Sequence, residues 1–217
     1  PTSFNVPGAT RFGSVGKALP GIEVKIATDG EIVVKGPNVF MGYFKEEAAT
    51  AEALIDGWLH SGDLGEFSSD GFLSITGRKK DIIITAGGKN IAPKNIEAAL
   101  KNLPLINEAV VIGDRRKFIS ALVTLDPDAS AAWAKDHGAS GELHKHPQLI
   151  AELQKGIDAE VNPQFAQVEQ VKKFTILHRQ LSIEEGELTP TLKVKRKQVN
   201  EHFAAQIEAM YAGSNAD

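Results

Sequence analysis

Apolar and polar residues alternate over residues 22–35 (IEVKIATDGEIVVK), with a break at Asp29-Gly30. Alternation places every second side chain on one face of a strand, and an Asp-Gly pair suits a two-residue turn, so this segment is expected to form a β-hairpin. A second hairpin is expected where residues 64–67 and 72–76 flank Ser68-Ser69-Asp70-Gly71. Residues 36–44, rich in Gly and Pro, read as loop, and the alanine-rich stretch 45–55 has the spacing of a short helix. After Gly77-Arg78-Lys79-Lys80-Asp81 the pattern changes. A short apolar run at 82–84 leads through a Gly-Gly loop to helical spacing over 93–102, opened by Pro93 and capped near Asn102. β-branched runs at 108–112 and 118–125, around the turn Gly113-Asp114-Arg115-Arg116-Lys117, and a third at 172–178 predict one small sheet. Helical spacing recurs over 128–136, 147–161 and 195–212, the last with an apolar face that includes Val199, Phe203, Ile207 and Met210. The class is therefore α+β, a β-rich first part followed by a mixed second part, with the boundary at 78–81.

Composition narrows the chemistry. A chain of 217 residues can bury a core of its own as one or two domains. It has no cysteine, so disulfides, thiolate metal sites and a catalytic thiol drop out. Lys+Arg 24 against Asp+Glu 28 gives a formal charge of −4, which offers nucleic acid no broad cationic surface. No apolar run approaches the roughly 18 residues that span a bilayer. A cytoplasmic protein is expected, with any membrane association peripheral, at the inner membrane face. The six histidines lack zinc-type spacing, and no residue is assigned to a metal. The chain opens at Pro1 without an initiator Met and without periodic apolar residues up to Arg11, which suggests a piece cut from a longer protein.

Three segments carry candidate chemistry. In Gly57-Trp58-Leu59-His60-Ser61-Gly62-Asp63-Leu64-Gly65 a carboxylate stands between glycines at the expected mouth of a strand, where small neighbours admit a ligand to the backbone. Gly77-Arg78-Lys79-Lys80-Asp81 runs into Ile82-Ile83-Ile84-Thr85-Ala86-Gly87-Gly88-Lys89-Asn90-Ile91-Ala92-Pro93-Lys94-Asn95-Ile96-Glu97. Near the end lies Glu187-Leu188-Thr189-Pro190-Thr191-Leu192-Lys193-Val194-Lys195-Arg196-Lys197. Gly87-Gly88-Lys89 is no P-loop, because Asn90 follows and the glycine spacing is wrong.

With Gly30-Glu31-Ile32-Val33-Val34-Lys35-Gly36-Pro37, Gly42-Tyr43 and the stretch from Gly13 to Gly21, these segments resemble the adenylate-forming superfamily over nearly the whole chain. That superfamily includes acyl-CoA synthetases, adenylation domains and luciferases. The resemblance implies that residues 1–77 are the β-rich end of a large N-terminal AMP-binding domain, 78–81 a hinge, and 82–217 a small mobile C-terminal domain with a helical insertion at 128–161. It puts Asp63 on the ribose hydroxyls of ATP or the acyl-adenylate, Arg78 on the same nucleotide, Lys80 at the hinge, and Gly87 and Gly88 along the pantetheine tunnel. Lys193 falls in the register of the catalytic lysine. The glycine usual before that lysine is Leu192 here, and Lys195 is the competing candidate. Arg115, Arg116 and Lys117 are candidate contacts for the phosphates of coenzyme A.

Plainer readings stand beside each assignment. Asp63 would close a turn, Arg78 would form a surface salt bridge, Lys80 would be solvated, Gly87-Gly88 would make a tight turn, Arg115-Arg116-Lys117 would be a hairpin tip, and the basic run before a helix would be a solvated face. The wording around Lys193 and the insertion resemble the long-chain fatty-acid branch. The implied protein is an ATP-dependent fatty-acid–CoA ligase, with ATP, Mg²⁺ carried by ATP, coenzyme A and a fatty acid as reactants. This piece, lacking the phosphate loop and the adenine-binding segment of the missing N-terminal body, is expected to be inactive alone. The alternatives are an enzyme that loads a carrier-protein thiol and a non-catalytic interaction module of the same fold. A carrier domain after the C-terminus would favour loading, and the polar tail ending at Asp217 favours free coenzyme A.

Overall fold

The computed structural model describes residues 1–213; residues 214–217, with the end of the polar tail, lie outside them. The chain divides into two units, Pro1–Ile82 and a second from Ile83 onward, and the expected hinge 78–81 falls at the end of the first.

In the first unit β1 (Ser3–Phe4) pairs with β2 (Lys17–Ala18). The alternating segment forms the expected hairpin of β3 (Glu23–Ile26) and β4 (Glu31–Lys35). The helix expected at 45–55 is shorter: α1 (Glu47–Ala53) gives way to β5 (Leu54–Ile55). Asp56 and Gly57 both have positive φ, 51° and 78°, so they form a tight two-residue turn that pairs Ile55 with Trp58. The next strand, β6 (Trp58–Phe67), therefore starts six residues ahead of the expected position 64, and Asp63 lies inside it rather than at its mouth. It continues through the predicted turn into β7 (Leu73–Arg78). The sheet order is β3-β4-β6-β5, with β7 also against β6. Its core cluster is small: Ile32, Val34 and Leu73.

The second unit opens with the short hairpin β8 (Ile83–Ile84) and β9 (Asn90–Ile91), which has Gly87-Gly88 at its tip. Pro93 starts α2 (Pro93–Leu100), which ends at a Lys101 cap just short of the expected Asn102. Strands β10 (Ile106–Ile112) and β11 (Ile119–Leu125) are antiparallel. Asp126 caps α3 (Pro127–Asp136) by accepting from the N–H groups of Asp128 and Ala129. Next comes α4 (Pro147–Gly156), extended by a π-helical turn at Ile157–Val161. The last strand, β12 (Val171–Ile176), lies parallel to β11. Parallel neighbours need a long crossover, so the helices of 128–161 are the connection that this sheet order requires. The single helix expected at 195–212 is broken at Phe203 into α5 (Arg196–His202) and α6 (Ala204–Tyr211).

The sheet is buried on both faces, which explains its near-continuous apolar runs. Ala109, Val111, Ile119, Ala121 and Val123 pack with side chains of α2, α3 and α4. Val110, Ile112 and Leu122 pack with Val199, Phe203, Ile207 and Met210. At about 25 cal/mol per Å² of apolar surface, this double burial is the main stabilising term of the unit.

Candidate functional site

Asp63 and Arg78 stand opposite each other on β6 and β7. The register shifts by one residue between Leu64 and Gly65, leaving Thr76 unpaired as a bulge, and this brings Arg78 rather than Gly77 across from Asp63. Arg78 Nε donates to Asp63 Oδ1 at 3.0 Å. Asp63 is about a quarter exposed and Arg78 more than half exposed. The pair uses one carboxylate oxygen and one of five guanidinium donors, so acceptors and donors remain for a ligand. Gly62, at φ +72°, has open space around it, so backbone conformation rather than crowding selects glycine there.

Behind this pair lies Glu31, only 3% exposed. Its Oε1 accepts from the Gly62 N–H at 2.8 Å, and its Oε2 lies 2.9 Å from His60 Nδ1 and 3.0 Å from Lys79 Nζ. Burial alone would raise this carboxyl, but the bonds from His60, Lys79 and Gly62 outweigh it and lower the pKa. Lys79 also pairs with Asp29 at 2.7 Å, which ties the residue before Lys80 to the β3–β4 hairpin. Lys80 itself is exposed in the 3₁₀ turn Lys79–Asp81, and its ammonium has no partner among the described residues. Arg78 and this turn line a groove of about 930 Å³, shared with Glu31, His60 and Tyr43.

Within the second unit the glycine turn and the cationic turn are clasped together. Ala86 N–H donates to Arg116 O at 2.9 Å, and Arg115 N–H donates to Ile84 O at 2.7 Å. Gly87 and Gly88 are exposed, and Gly88 has φ +73°. A Cβ on Gly88 would meet nothing within 4 Å. The three cations of 115–117 are not equivalent. Arg115 is 92% exposed, with Asp114 at 4.0 Å. The Arg116 guanidinium is committed to Glu208 and lies over the Tyr211 ring, 4.8 Å from its centroid.

The lysine segment forms a narrow hairpin over 187–195. Leu188 bridges Val194, Lys195 N–H donates to Glu187 O at 2.7 Å, and Thr189 N–H donates to Lys193 O at 2.8 Å. Leu192 sits at the turn with φ +58°. This left-handed conformation costs a residue with a Cβ roughly 1–2 kcal/mol and glycine almost nothing. The backbone at 192 thus has the shape that a glycine would supply. Lys193 follows directly, exposed, and no acceptor lies within hydrogen-bond distance of its ammonium among the described residues. At the hairpin's foot Glu187 is fully buried against Arg179, His202 and the Ser182 N–H. Burial pushes its carboxyl up, but these bonds prevail and hold it at about 2. Past Lys195, Arg196 donates to Glu97 of α2 and to Val111 O, linking this segment to the helix that follows the glycine turn.

Sequence reasoning missed the roles of Glu31, Glu187, Thr189 and the Glu97–Arg196 pair. Glu31 did carry a trace, as a charge inside the run EIVVK whose apolar members are core residues.

Comparison with known proteins agrees with this architecture. The family model described as the AMP-binding enzyme C-terminal domain matches residues 80–215. A long-chain-fatty-acid–CoA ligase of Mycobacterium tuberculosis, FadD15, is 50% identical over 206 residues, covering 93% of this chain and 34% of its own. The chain therefore spans about a third of the length of this curated relative. The o-succinylbenzoate coenzyme A synthetase of Bacillus subtilis, in complex with ATP and a magnesium ion, aligns with 31% identity and a TM-score of 0.63, over 88% of this chain and 36% of that one. The adenylation domain of a carboxylate reductase from Mycobacterium chelonae shares the fold, with 24% identity and a TM-score of 0.76 over 94% of this chain and 33% of that one.

Proposed function

The chain belongs to the AMP-binding enzyme C-terminal domain family, and on that premise we propose that it is the C-terminal part of an ATP-dependent ligase that joins a long-chain fatty acid to coenzyme A. A carboxylate oxygen of the acid attacks the α-phosphorus of ATP, the α–β phosphoanhydride bond breaks and pyrophosphate leaves. The thiol sulfur of coenzyme A, giving up its proton, then attacks the acyl carbonyl, and AMP departs with the electron pair of the mixed anhydride. In this reading Asp63 accepts from the ribose hydroxyls and Arg78 donates to the same nucleotide. Lys193 meets the negative charge that develops around the α-phosphate, acting as an electrostatic group rather than a base. Lys80 is the pivot about which the following residues turn between the half-reactions. Gly87 and Gly88 line the path of the pantetheine arm, and the turn Arg115-Arg116-Lys117 meets coenzyme A phosphates. Arg116, bound to Glu208, holds the turn. Magnesium is assigned to the nucleotide it accompanies.

The observation that carries this reading is the hairpin that turns on left-handed Leu192 and presents Lys193 at its exposed end. It supports Lys193 over Lys195, because Leu192, directly before Lys193, holds the left-handed conformation that glycine adopts without cost. The test is the stoichiometry of the intact enzyme with palmitate, MgATP and coenzyme A. One AMP and one pyrophosphate per acyl-CoA are expected, and Asp63→Ala should raise the KM for ATP about tenfold, the value of one charge-assisted hydrogen bond. ADP as the product, or turnover without a carboxylate, would refute it.

A further inference from the structure

The foot of the lysine hairpin holds a carboxylate that the chemistry above does not use. Glu187 is completely buried, and its two oxygens meet four donors. Arg179 donates to both, from Nη1 and Nη2 at 2.7 Å each. Ser182 N–H donates to Oε2 at 3.1 Å, and His202 Nδ1 lies 2.9 Å from Oε1. A buried carboxylate is tolerated only when it is fully partnered, and here the partners come from the segment before the hairpin and the helix after it. The Glu187 backbone is fixed as well, its N–H donating to Ser182 O at 3.0 Å and its C=O accepting from Lys195 N–H.

From this foot the order passes to the tip in two steps. Leu188 bridges Val194, and Thr189 then grips Lys193 by both backbone groups. Thr189 N–H donates to Lys193 O at 2.8 Å, and Thr189 Oγ1 accepts from Lys193 N–H at 3.0 Å. Thr191 Oγ1, 3.0 Å from Thr189 Oγ1, fixes the hydroxyl in turn. A two-stranded hairpin of this size is marginal without such an anchor. The Lys193 ammonium, at the end of a flexible four-carbon stem, must meet the charge that develops in the transition state.

We propose that Glu187 and Thr189 are positioning residues for Lys193, the first anchoring the hairpin foot and the second fixing the backbone from which the ammonium extends. This rests on Lys193 serving adenylate formation, so it predicts an effect confined to that half-reaction. In the intact enzyme the two steps are measured separately: pyrophosphate release from palmitate and MgATP, and transfer of preformed palmitoyl-adenylate to coenzyme A. Glu187→Gln keeps the shape and removes the charge, and should lower kcat for pyrophosphate release about 10- to 100-fold, the range expected of a misplacement near 1 Å. Thr189→Val, on the hairpin surface and harmless to the core, should lower it about three- to tenfold, and Thr189→Ser should restore it. The KM for ATP and the rate of transfer to coenzyme A should stay within about twofold of wild type, since positioning a transition-state contact leaves ground-state binding alone. Equal losses in both half-reactions would mean that Glu187 and Thr189 merely hold the unit together, and unchanged pyrophosphate release would leave them no role; either result overturns the inference while the ligase reading stands. A wild-type enzyme that forms no palmitoyl-adenylate would overturn the ligase reading and this inference with it.

Discussion

Each unit buries a glutamate beside a histidine and a cation, and the two clusters are built to different strength. In the first unit Glu31 shares Lys79 with Asp29, and the lysine is about half exposed. In the second, Glu187 takes both arms of one arginine at 2.7 Å and is itself fully buried. A lysine is a solvated point charge that divides between partners, whereas the planar fork of arginine fits one carboxylate twice. The surroundings differ in the same sense. Around Glu31 the core cluster is three residues, and around Glu187 an apolar layer packs against a sheet covered on both faces. The contrast teaches that the first cluster braces the end of a strand beside a half-exposed lysine, and the second anchors the foot of the 187–195 hairpin from within the core.

The largest test of this contrast is removal of the carboxylate itself. Glu187→Ala leaves Arg179 without its partner and should cost about 3–5 kcal/mol in urea unfolding of the second unit. Acid titration should give nearly as much. The Glu187 carboxyl is depressed from 4.5 to about 2 in the folded chain. The stability it contributes is therefore complete above its unfolded pKa and is lost as pH falls from about 4.5 toward 2. By linkage this amounts to about 3 kcal/mol, and Glu187→Gln should flatten that acid limb. Glu31→Gln should cost less, about 1–2 kcal/mol, because Lys79 keeps Asp29 and one half-exposed cation loses little. A cost equal to that at Glu187 would erase the distinction drawn between the clusters. The smallest effect is expected at the tip, where Leu192→Gly relieves left-handed strain but adds chain entropy, a net gain of about 0.5 kcal/mol. A loss of stability there would argue against the turn geometry at Leu192.

Much of this arrangement was legible in the residues. Alternation around Asp29-Gly30 gave the first hairpin, and the runs at 108–112, 118–125 and 172–178 gave the three-stranded sheet. Other features leave little trace. The bulge at Thr76 that sets Asp63 against Arg78 depends on how β7 twists beside β6, and no local composition announces it. Phe203 keeps the apolar spacing from Val199 to Ile207 unbroken, so periodicity cannot show that the helix stops and restarts there. Asp56-Gly57 did carry the hairpin signature, but the alanines before it favoured a longer helix. Glu187 reads as one more charge in an acidic stretch, and only folding brings Arg179 and His202 to it.

The proposed adenylate chemistry depends on which lysine of the hairpin meets the α-phosphate. Palmitate-dependent ATP–pyrophosphate exchange by the intact enzyme, compared among wild type, Lys193→Ala and Lys195→Ala, tests it directly. Exchange is predicted to fall at least about 100-fold in Lys193→Ala, as for loss of one oriented transition-state contact, and to persist in Lys195→Ala. Exchange that survives in Lys193→Ala and disappears in Lys195→Ala would contradict the account.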